Sequence, residues 1–284
     1  MTDYHRPRTL AEALDLAAGG GLTLAAGCTD LFPATQGPGL SGRVLDLTGV
    51  AALRGIAEGP EGWRIGALTT WAEVIAAPLP PAFDGLKAAA REVGSVQIQT
   101  AGTVGGNLCN ASPAADGVPC LMTLEAGVEL ASAVGTRLLP LSDFLTGPRR
   151  TALRPGEVLT AIHVPRAAGV GQGAFVKLGA RRYLVISIVM AAARVVAEGG
   201  RVTEAALSVG ACSPVAVRLP DLEAALVGVP LGEAAARVVP DLVAPALAPI
   251  TDVRADAAYR AEAAVEVLRR ALSAALRAPV EAVP

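Results

Sequence analysis

Aromatic residues make up only 3% of this 284-residue chain, so its core must be built from small aliphatic side chains. Long apolar runs are absent as well. The most apolar stretch, 183–196, is interrupted by Ser187 and Arg194 and falls short of the ~20 residues that a membrane-spanning helix needs. We interpret it as a buried strand or a core helix. The formal net charge of −2 argues against a nucleic acid or an anionic membrane as partner.

Cysteine and histidine are too few and too scattered to suggest a metal centre. The four cysteines, at positions 28, 109, 120 and 212, form no C-x-x-C pair, so the sequence supports neither a zinc site nor an iron–sulfur cluster. The two histidines, His5 and His163, offer no Ser–His–Asp arrangement. We therefore predict no catalytic residue and no metal ligand in this chain. Free cysteines, and the lack of a secretory signal in residues 1–8, predict a cytoplasmic protein.

The first part of the chain predicts a small α/β lobe over about residues 1–55. Residues 8–18 predict a helix in which Thr9 and Glu12 have the spacing of a capping box. Short apolar strands are predicted at 22–26 and 44–47.

A second lobe is predicted over about residues 56–168. Its pattern predicts, in order, a strand beginning at 62–65, helices at 69–77 and 85–93, a polar glycine-rich stretch at 95–107, a hairpin at 128–133 and 137–140, and a strand at 158–165. Small residues and glycines at 166–173 then predict a linker. We place it at 169–173, between a first domain, 1–168, and a second, 174–284.

The second domain is predicted to combine a sheet with helices. Two apolar runs, 184–197 and 202–210, flank Gly199-Gly200, which is typical of an antiparallel hairpin. Residues 256–276 have apolar side chains at helical spacing and predict an amphipathic helix that lies on a sheet.

Loop 1, our name for residues 24–31, begins within the strand predicted at 22–26 and continues beyond its end. It contains Leu24, Ala25, Ala26, Gly27, Cys28, Thr29, Asp30 and Leu31. A buried strand that runs into Gly-Cys-Thr exposes consecutive backbone N–H groups and a hydroxyl. Such concavities bind phosphate oxygens, because the amide dipoles converge on the anion.

Loop 2, residues 102–107, is richer in glycine. It contains Gly102, Thr103, Val104, Gly105, Gly106 and Asn107. Glycines permit close approach of the backbone to a ligand, while Thr103 and Asn107 add hydrogen-bonding groups. Neither loop fits G-x-G-x-x-G or G-x-x-x-x-G-K-[ST], which argues against a Rossmann or P-loop site. The residues by themselves predict an anion or dinucleotide site and nothing finer.

Both loops resemble the flavin loops of the FAD-binding (medium) subunits of the xanthine dehydrogenase and carbon monoxide dehydrogenase family of molybdenum hydroxylases. Residues 103–116, TVGGNLCNASPAAD, resemble the second flavin loop of that family. Residues 26–31, AGCTDL, resemble the first, which usually reads A-G-G-T-D-L. Three further segments match in order along nearly the whole chain, namely residues 4–7, 153–159 and 251–260.

The resemblance implies an α+β fold with non-covalently bound FAD. It implies a two-lobed FAD-binding domain of the vanillyl-alcohol-oxidase (PCMH) type, followed by a small α+β C-terminal domain. Loops 1 and 2 would enclose the pyrophosphate and ribitol of FAD. Asp116 would contact the flavin nucleotide, and Leu159 would pack against the cofactor. Lys177 would reach the isoalloxazine edge, and Tyr183 would lie near the flavin face. Neither histidine lies in the loops, so we expect no histidyl–flavin bond.

The resemblance also implies partner subunits. FAD would take electrons from [2Fe–2S] clusters on a small subunit and pass them to an external acceptor. A large subunit would carry the molybdopterin cofactor and hydroxylate the substrate, in a dimer of heterotrimers. Two alternatives stay open: a stand-alone flavin oxidase or dehydrogenase, and a flavin-free assembly subunit.

The sequence departs from the family pattern at one loop residue, and several other residues also have simpler interpretations. Cys28 stands where the family has its second loop glycine, so we expect a negative φ there and weaker FAD binding. Asp116 would also suit the N-cap of a following helix. Lys177 would also suit the surface. The arginine pairs at 149–150 and 181–182 are either solvated or contacts to a partner subunit.

Overall fold

The computed structural model describes residues 3–35, 37 and 39–277. In that part of the chain the strands form four sheets. The strands are β1 (Asp3–His5), β2 (Leu22–Ala25), β3 (Arg43–Asp46), β4 (Ile56–Gly59), β5 (Gly62–Gly66), β6 (Gly127–Ser132), β7 (Gly135–Pro140), β8 (Leu145–Gly147), β9 (Arg150–Thr151), β10 (Val158–Pro165), β11 (Gln172–Leu178), β12 (Val189–Glu198), β13 (Arg201–Gly210) and β14 (Val217–Arg218).

The helices pack on these sheets. They are α1 (Leu10–Ala18), α2 (Trp71–Ala76), α3 (Asp84–Glu92), α4 (Val96–Ala101), α5 (Val104–Asn110), α6 (Gly117–Thr123), α7 (Leu141–Phe144), α8 (Pro220–Leu226), α9 (Leu231–Ala234), α10 (Pro240–Val243) and α11 (Ala257–Arg277). Among the described residues, none of these helices has the length and hydropathy that crossing a bilayer requires.

The first lobe contains a three-stranded parallel sheet in the order β1-β3-β2. Helix α1 covers it and buries Ala13 and Ala17. The predicted capping box is confirmed, because the Thr9 hydroxyl accepts from the Glu12 N–H while the Glu12 carboxylate accepts from the Thr9 N–H. Ligands of parallel α/β sheets bind beyond the carboxyl ends of the strands, and loop 1 leaves β2 at that edge.

The second lobe contains a five-stranded antiparallel sheet in the order β4-β5-β10-β6-β7. Helices α2, α3, α5 and α6 enclose a core with this sheet, in which Trp71, Phe83 and Leu121 are buried, whereas α4 buries none of its residues. A register shift between Leu159 and Ala161 interrupts the pairing of β10 with β6. The strand predicted at 158–165 is confirmed with both ends correct.

The third sheet, β11-β12-β13-β14, is antiparallel and carries α11 on one face. Gly199 and Gly200 form the turn between β12 and β13, each with positive φ, so the hairpin predicted there is confirmed. Helix α11 buries the apolar stripe that its spacing predicted: Ala264, Val267, Leu268, Ala271 and Leu272.

The third sheet packs directly on the second lobe, and glycines permit the contact. A Cβ at Gly173 of β11 would overlap the Ala82 carbonyl oxygen, and one at Gly85 of α3 would lie 2.9 Å from the Ala174 carbonyl oxygen. Arg194 of β12, buried at 1% exposure, donates to the Thr123 carbonyl oxygen at 2.9 Å. This close approach brings Lys177, on β11, to the wall of the cavity described below.

Three sequence predictions need correction. Residues 102–107 were predicted as a loop, but α4 ends at Ala101 and α5 begins at Val104, so most of these residues are helical. The strand predicted at 184–197 begins at Val189. Strand β11 already begins at Gln172, within the predicted linker 169–173. The domain division stays a prediction, and its last residues, 278–284, lie outside the described part of the chain.

Candidate cofactor cavity

A cavity of about 770 Å³ lies where the two lobes and the third sheet meet. This is within the range of roughly 300–1,000 Å³ that small-molecule sites occupy. Loops 1 and 2, Asp116, Leu159 and Lys177 all contribute to its wall, and of the predicted site residues only Val104 and Tyr183 do not. The structure therefore gathers side chains that are more than 150 positions apart in the chain around one space.

Loop 1 reaches loop 2 through a glycine contact. A Cβ at Gly27 would overlap the Ala101 carbonyl oxygen, so only glycine allows loop 1 to lie against the end of α4. The facing Gly102 is equally restricted: a Cβ there would lie 2.9 Å from the Ile98 carbonyl oxygen and 3.3 Å from Thr29 Oγ1. The two loops thus share one wall, as a ligand bound by both would require.

Cys28 has a φ of +57°, so the prediction of a negative φ was wrong. A residue with a Cβ therefore adopts the left-handed conformation that glycine adopts most readily. The backbone path at Cys28 is fixed on both sides. Before it, Gly27 lies against Ala101, and after it, the Phe32 N–H donates to the Cys28 carbonyl oxygen at 3.1 Å. The Cys28 thiol lies 3.4 Å from the Ala26 carbonyl oxygen. Burial raises the pKa of this thiol above its ordinary value, so it stays protonated near neutral pH.

Loop 2 is a helix junction. Gly102 ends α4, and the Thr103 hydroxyl caps α5 by accepting from the Gly106 N–H at 3.1 Å. Gly105 packs against Ala67, because a Cβ at Gly105 would lie 2.7 Å from the Ala67 carbonyl oxygen. This glycine therefore serves helix packing, whereas a Cβ at Gly106 would meet only Thr103 Oγ1.

Asn107 provides the main observation in favour of a polar ligand. Its side chain lines the cavity, and its Oδ1 is buried without a hydrogen-bond partner among the described residues. An unsatisfied buried acceptor is rare and costs about 1–3 kcal/mol. A ligand with hydroxyl groups, such as the ribitol of FAD, would satisfy it. The cavity residues therefore fit the cofactor that the sequence resemblance implies.

At another part of the wall, Asp116, Lys177 and Ser187 form a buried polar cluster. Lys177 Nζ donates to Asp116 Oδ2 at 2.6 Å, and Ser187 Oγ donates to Asp116 Oδ1 at 2.6 Å. Burial raises the pKa of the Asp116 carboxyl above its ordinary value, against the opposing influence of Lys177 and Ser187. The Asp116 side chain makes no capping bond to α6, and the Lys177 side chain is only 7% exposed. Asp116 does stand at the N-cap position of α6, although its side chain does not cap the helix, whereas the interpretation of Lys177 as a surface residue is wrong.

Val104 and Tyr183 lie outside the cavity wall. Val104 is fully buried in the core. Tyr183 is 56% exposed, with the Arg182 guanidinium 5.2 Å from its ring centroid. Its neighbours Leu184 and Ile186 do line the cavity.

Sequence reasoning missed several residues of the wall. They include Trp71, Glu92, Ile98, Cys109, Asn110, Ser112, Arg149, Leu153 and Val185. Cys109, Asn110 and Ser112 fall within the segment 103–116 that carried the resemblance, so that segment held the signal. Glu92 and Ile98 had none, because they reach the cavity only through the packing of α3 and α4.

Comparisons with known proteins agree with this geometry. Residues 1–167 match the family model of the FAD binding domain in molybdopterin dehydrogenase, and residues 174–275 match the CO dehydrogenase flavoprotein C-terminal domain. The chain is 30% identical over 284 residues to the xanthine dehydrogenase FAD-binding subunit of Escherichia coli O157:H7, covering 98% of this chain and 97% of that one. It is 30% identical over 282 residues to the carbon monoxide dehydrogenase medium chain of Afipia carboxidovorans, covering 96% of each.

Solved structures give the same result. Carbon monoxide dehydrogenase from Hydrogenophaga pseudoflava, in a form lacking the Mo-pyranopterin moiety, superimposes with a TM-score of 0.88 at 31% identity over 96% of each chain. Quinoline 2-oxidoreductase from Pseudomonas putida 86 superimposes with a TM-score of 0.87 at 26% identity, covering 98% of this chain and 97% of that one.

The fold, the cavity and these matches define a flavoprotein subunit of an oxidoreductase. The chain belongs to the FAD-binding medium subunits of the molybdenum hydroxylases, the family of xanthine dehydrogenase and carbon monoxide dehydrogenase. The family, the α+β fold class and FAD as the cofactor are thereby confirmed. The individual contacts of the site residues with FAD stay predictions.

Proposed function

We propose that this chain binds FAD non-covalently in the cavity and relays electrons from [2Fe–2S] clusters on a small partner subunit to an external acceptor. The unsatisfied Oδ1 of Asn107, a residue of the cavity wall, is the observation that carries the cofactor assignment. The relationship to medium chains and FAD-binding subunits of dehydrogenases supports the relay.

The roles of the binding residues follow from their positions. Backbone N–H groups of loop 1 and the Thr29 hydroxyl are placed to hold phosphate oxygens. Thr103 and Gly106 shape the start of α5, whose N-terminal dipole favours an anion. Asn107 accepts from a ribitol hydroxyl. His5 and His163 lie outside the cavity wall, which supports non-covalent attachment as far as histidine is concerned.

The other part of the wall orients the ring system. Leu159 offers an apolar surface, and the Asp116–Lys177 pair places a fixed ammonium group beside the cavity, 2.6 Å from its carboxylate. When bound, flavin supplies reversible electron transfer, in single steps or in pairs. Asp116 balances the charge of this ammonium, so its contribution at the adjoining ring edge would be a fixed hydrogen-bond donor.

The substrate chemistry belongs, in this proposal, to a large molybdopterin-binding subunit, within a cytoplasmic dimer of heterotrimers. No His, Cys, Asp or Glu cluster suited to a metal ion occurs among the residues that the structure describes. All four cysteines are free, which suits a reducing compartment.

Purification from the native host tests the proposal. We expect the chain to copurify with two partners, to show the visible absorption bands of oxidised flavin, and to release that flavin into the supernatant on acid precipitation. Flavin retained in the acid pellet would contradict non-covalent binding. A flavin-free chain that still assembles would favour the assembly subunit. A chain recovered alone that oxidises a substrate by itself would favour the stand-alone oxidase.

A further inference from the structure

Arg149 occupies a turn position that normally requires glycine or asparagine. Gly147 of β8 pairs with Arg150 of β9, so Pro148 and Arg149 form a two-residue connection between the strands. Arg149 has a φ of +57°, in the left-handed region that disfavours residues with a Cβ. Strain that persists at a cavity wall is an observation from which function can be inferred.

The strained residue is tied to the helix that begins in loop 2. The Arg149 N–H donates to the Ala111 carbonyl oxygen at 2.8 Å, and its guanidinium donates to Asn110 Oδ1. Asn110 lies three residues after Asn107 in α5, so the two side chains share one face of that helix. Arg149 therefore stands about one helical turn from the unsatisfied Asn107 acceptor.

The charge of Arg149 is unbalanced. The charged residues of the cavity wall are Asp30, Glu92, Asp116, Arg149 and Lys177. Lys177 is paired with Asp116, whereas the Arg149 guanidinium contacts Asn110 and, within the described residues, no carboxylate. A guanidinium has five N–H donors in a planar fork, so most of those of Arg149 are free to bind an anion.

We propose that Arg149 binds a phosphate group of a dinucleotide in this cavity. The inference rests on the proposed function and extends it to a residue that the family motifs leave out. Arginine forms two parallel hydrogen bonds with phosphate oxygens, which lysine cannot reproduce. The phosphate belongs either to the FAD pyrophosphate or to a nicotinamide dinucleotide that accepts the electrons, and the experiment below separates these sources.

The test compares Arg149→Gly with Arg150→Gly in the full chain within its native complex. Glycine removes the guanidinium and also relieves the positive φ, so Arg149→Gly is expected to melt no lower than wild type. After deflavination, FAD and riboflavin affinities are measured for each variant by fluorescence titration. Reduction of the bound flavin by NADH is then followed without oxygen and with FAD at saturation. As a control that needs no dinucleotide, the flavin is reduced with dithionite and its reoxidation by a neutral quinone is followed.

If Arg149 binds the FAD pyrophosphate, Arg149→Gly lowers the affinity for FAD about ten- to a hundredfold, the range of one charge-assisted contact. The affinity for riboflavin, which has no phosphate, is then unchanged. If the phosphate belongs to the nicotinamide dinucleotide, FAD affinity is kept and the NADH concentration that gives half-maximal flavin reduction rises about tenfold, while reoxidation of the dithionite-reduced flavin by the quinone is unaffected. Arg149→Lys should recover only part of either loss. Equal behaviour of the Arg149 and Arg150 variants in both assays overturns the inference. Absence of FAD binding by wild type overturns the proposed function itself.

Discussion

Replacement of Cys28 by glycine should stabilise the protein without weakening its binding of FAD. The residue holds a φ of +57°, and a left-handed residue with a Cβ costs about 1–2 kcal/mol. The greater freedom of glycine in the unfolded chain offsets about 0.4–1 kcal/mol of that gain. The net effect is an increase of roughly 0.5–1 kcal/mol in the free energy of unfolding, or about 2 °C in Tm for a protein of this size.

The same argument predicts the direction in which Cys28→Gly changes the affinity for FAD. If loop 1 relaxes when the cavity is empty, the strain returns on binding, and Cys28→Gly tightens FAD by up to about fivefold. If the loop stays in place, the Kd is unchanged. Urea denaturation of the apoprotein and fluorescence titration with FAD measure the two quantities.

Two further variants isolate the backbone effect. Cys28→Ala removes the thiol and keeps the Cβ, so it should retain the strain and resemble wild type. Glu125→Gly relieves a similar φ of +52° after α6, outside the cavity wall, and should leave FAD affinity unchanged. A higher Kd for Cys28→Gly, or equal stabilisation by Cys28→Ala, would refute the assignment of strain to this loop.

Three other variants extend the predictions. Asn107→Leu removes a buried acceptor that has no hydrogen-bond partner, so the free energy of unfolding of the apoprotein should rise by about 1 kcal/mol while FAD affinity falls at least tenfold. An FAD affinity equal to that of wild type would contradict the role of Oδ1. Lys177→Met leaves a buried carboxylate without its cation and should lower the free energy of unfolding by about 3 kcal/mol. In urea denaturation, the double variant Asp116→Asn/Lys177→Met should recover part of that loss. A double variant as unstable as the single one would be inconsistent with a stabilising ion pair. The bond from Arg137 lowers the pKa of the Glu157 carboxyl below its ordinary 4.5, so the pair's stabilisation is present above that pH and declines as the pH falls. Arg137→Gln should flatten this part of the Tm profile between about pH 6 and 3, whereas an unchanged profile would assign the acid sensitivity to other carboxylates.

Local patterns accounted for much of the fold. The capping box at Thr9, the Gly199-Gly200 turn and the apolar stripe of α11 each depend on neighbours within a few residues, and the structure has each of them. Residues 102–107 were interpreted as a loop because three of the six are glycines, which are typical of turns and loops. Packing of Gly105 against Ala67 stabilises helix there, and such a contact cannot be inferred from local sequence.

The site was predictable where a motif is contiguous. Loops 1 and 2 were found from short segments, but physical chemistry alone reached only an anion or dinucleotide site, and family resemblance supplied FAD. Glu92 and Arg149 reach the cavity through long-range packing, so their spacing gave no indication. The φ of Cys28 was mispredicted because residue preference was weighed without the contacts that fix the loop path.

The glycine-permitted contact of β11 with α3 has a thermodynamic consequence. Since Lys177 and Ile186 belong to the later part of the chain and the two loops to the earlier part, any molecule that fills the cavity touches both. Its binding free energy then adds to the free energy that holds the two parts together. Loading of the cofactor and docking of the C-terminal sheet are linked equilibria, and a chain whose sheet is detached should retain little flavin at any concentration of partner subunits.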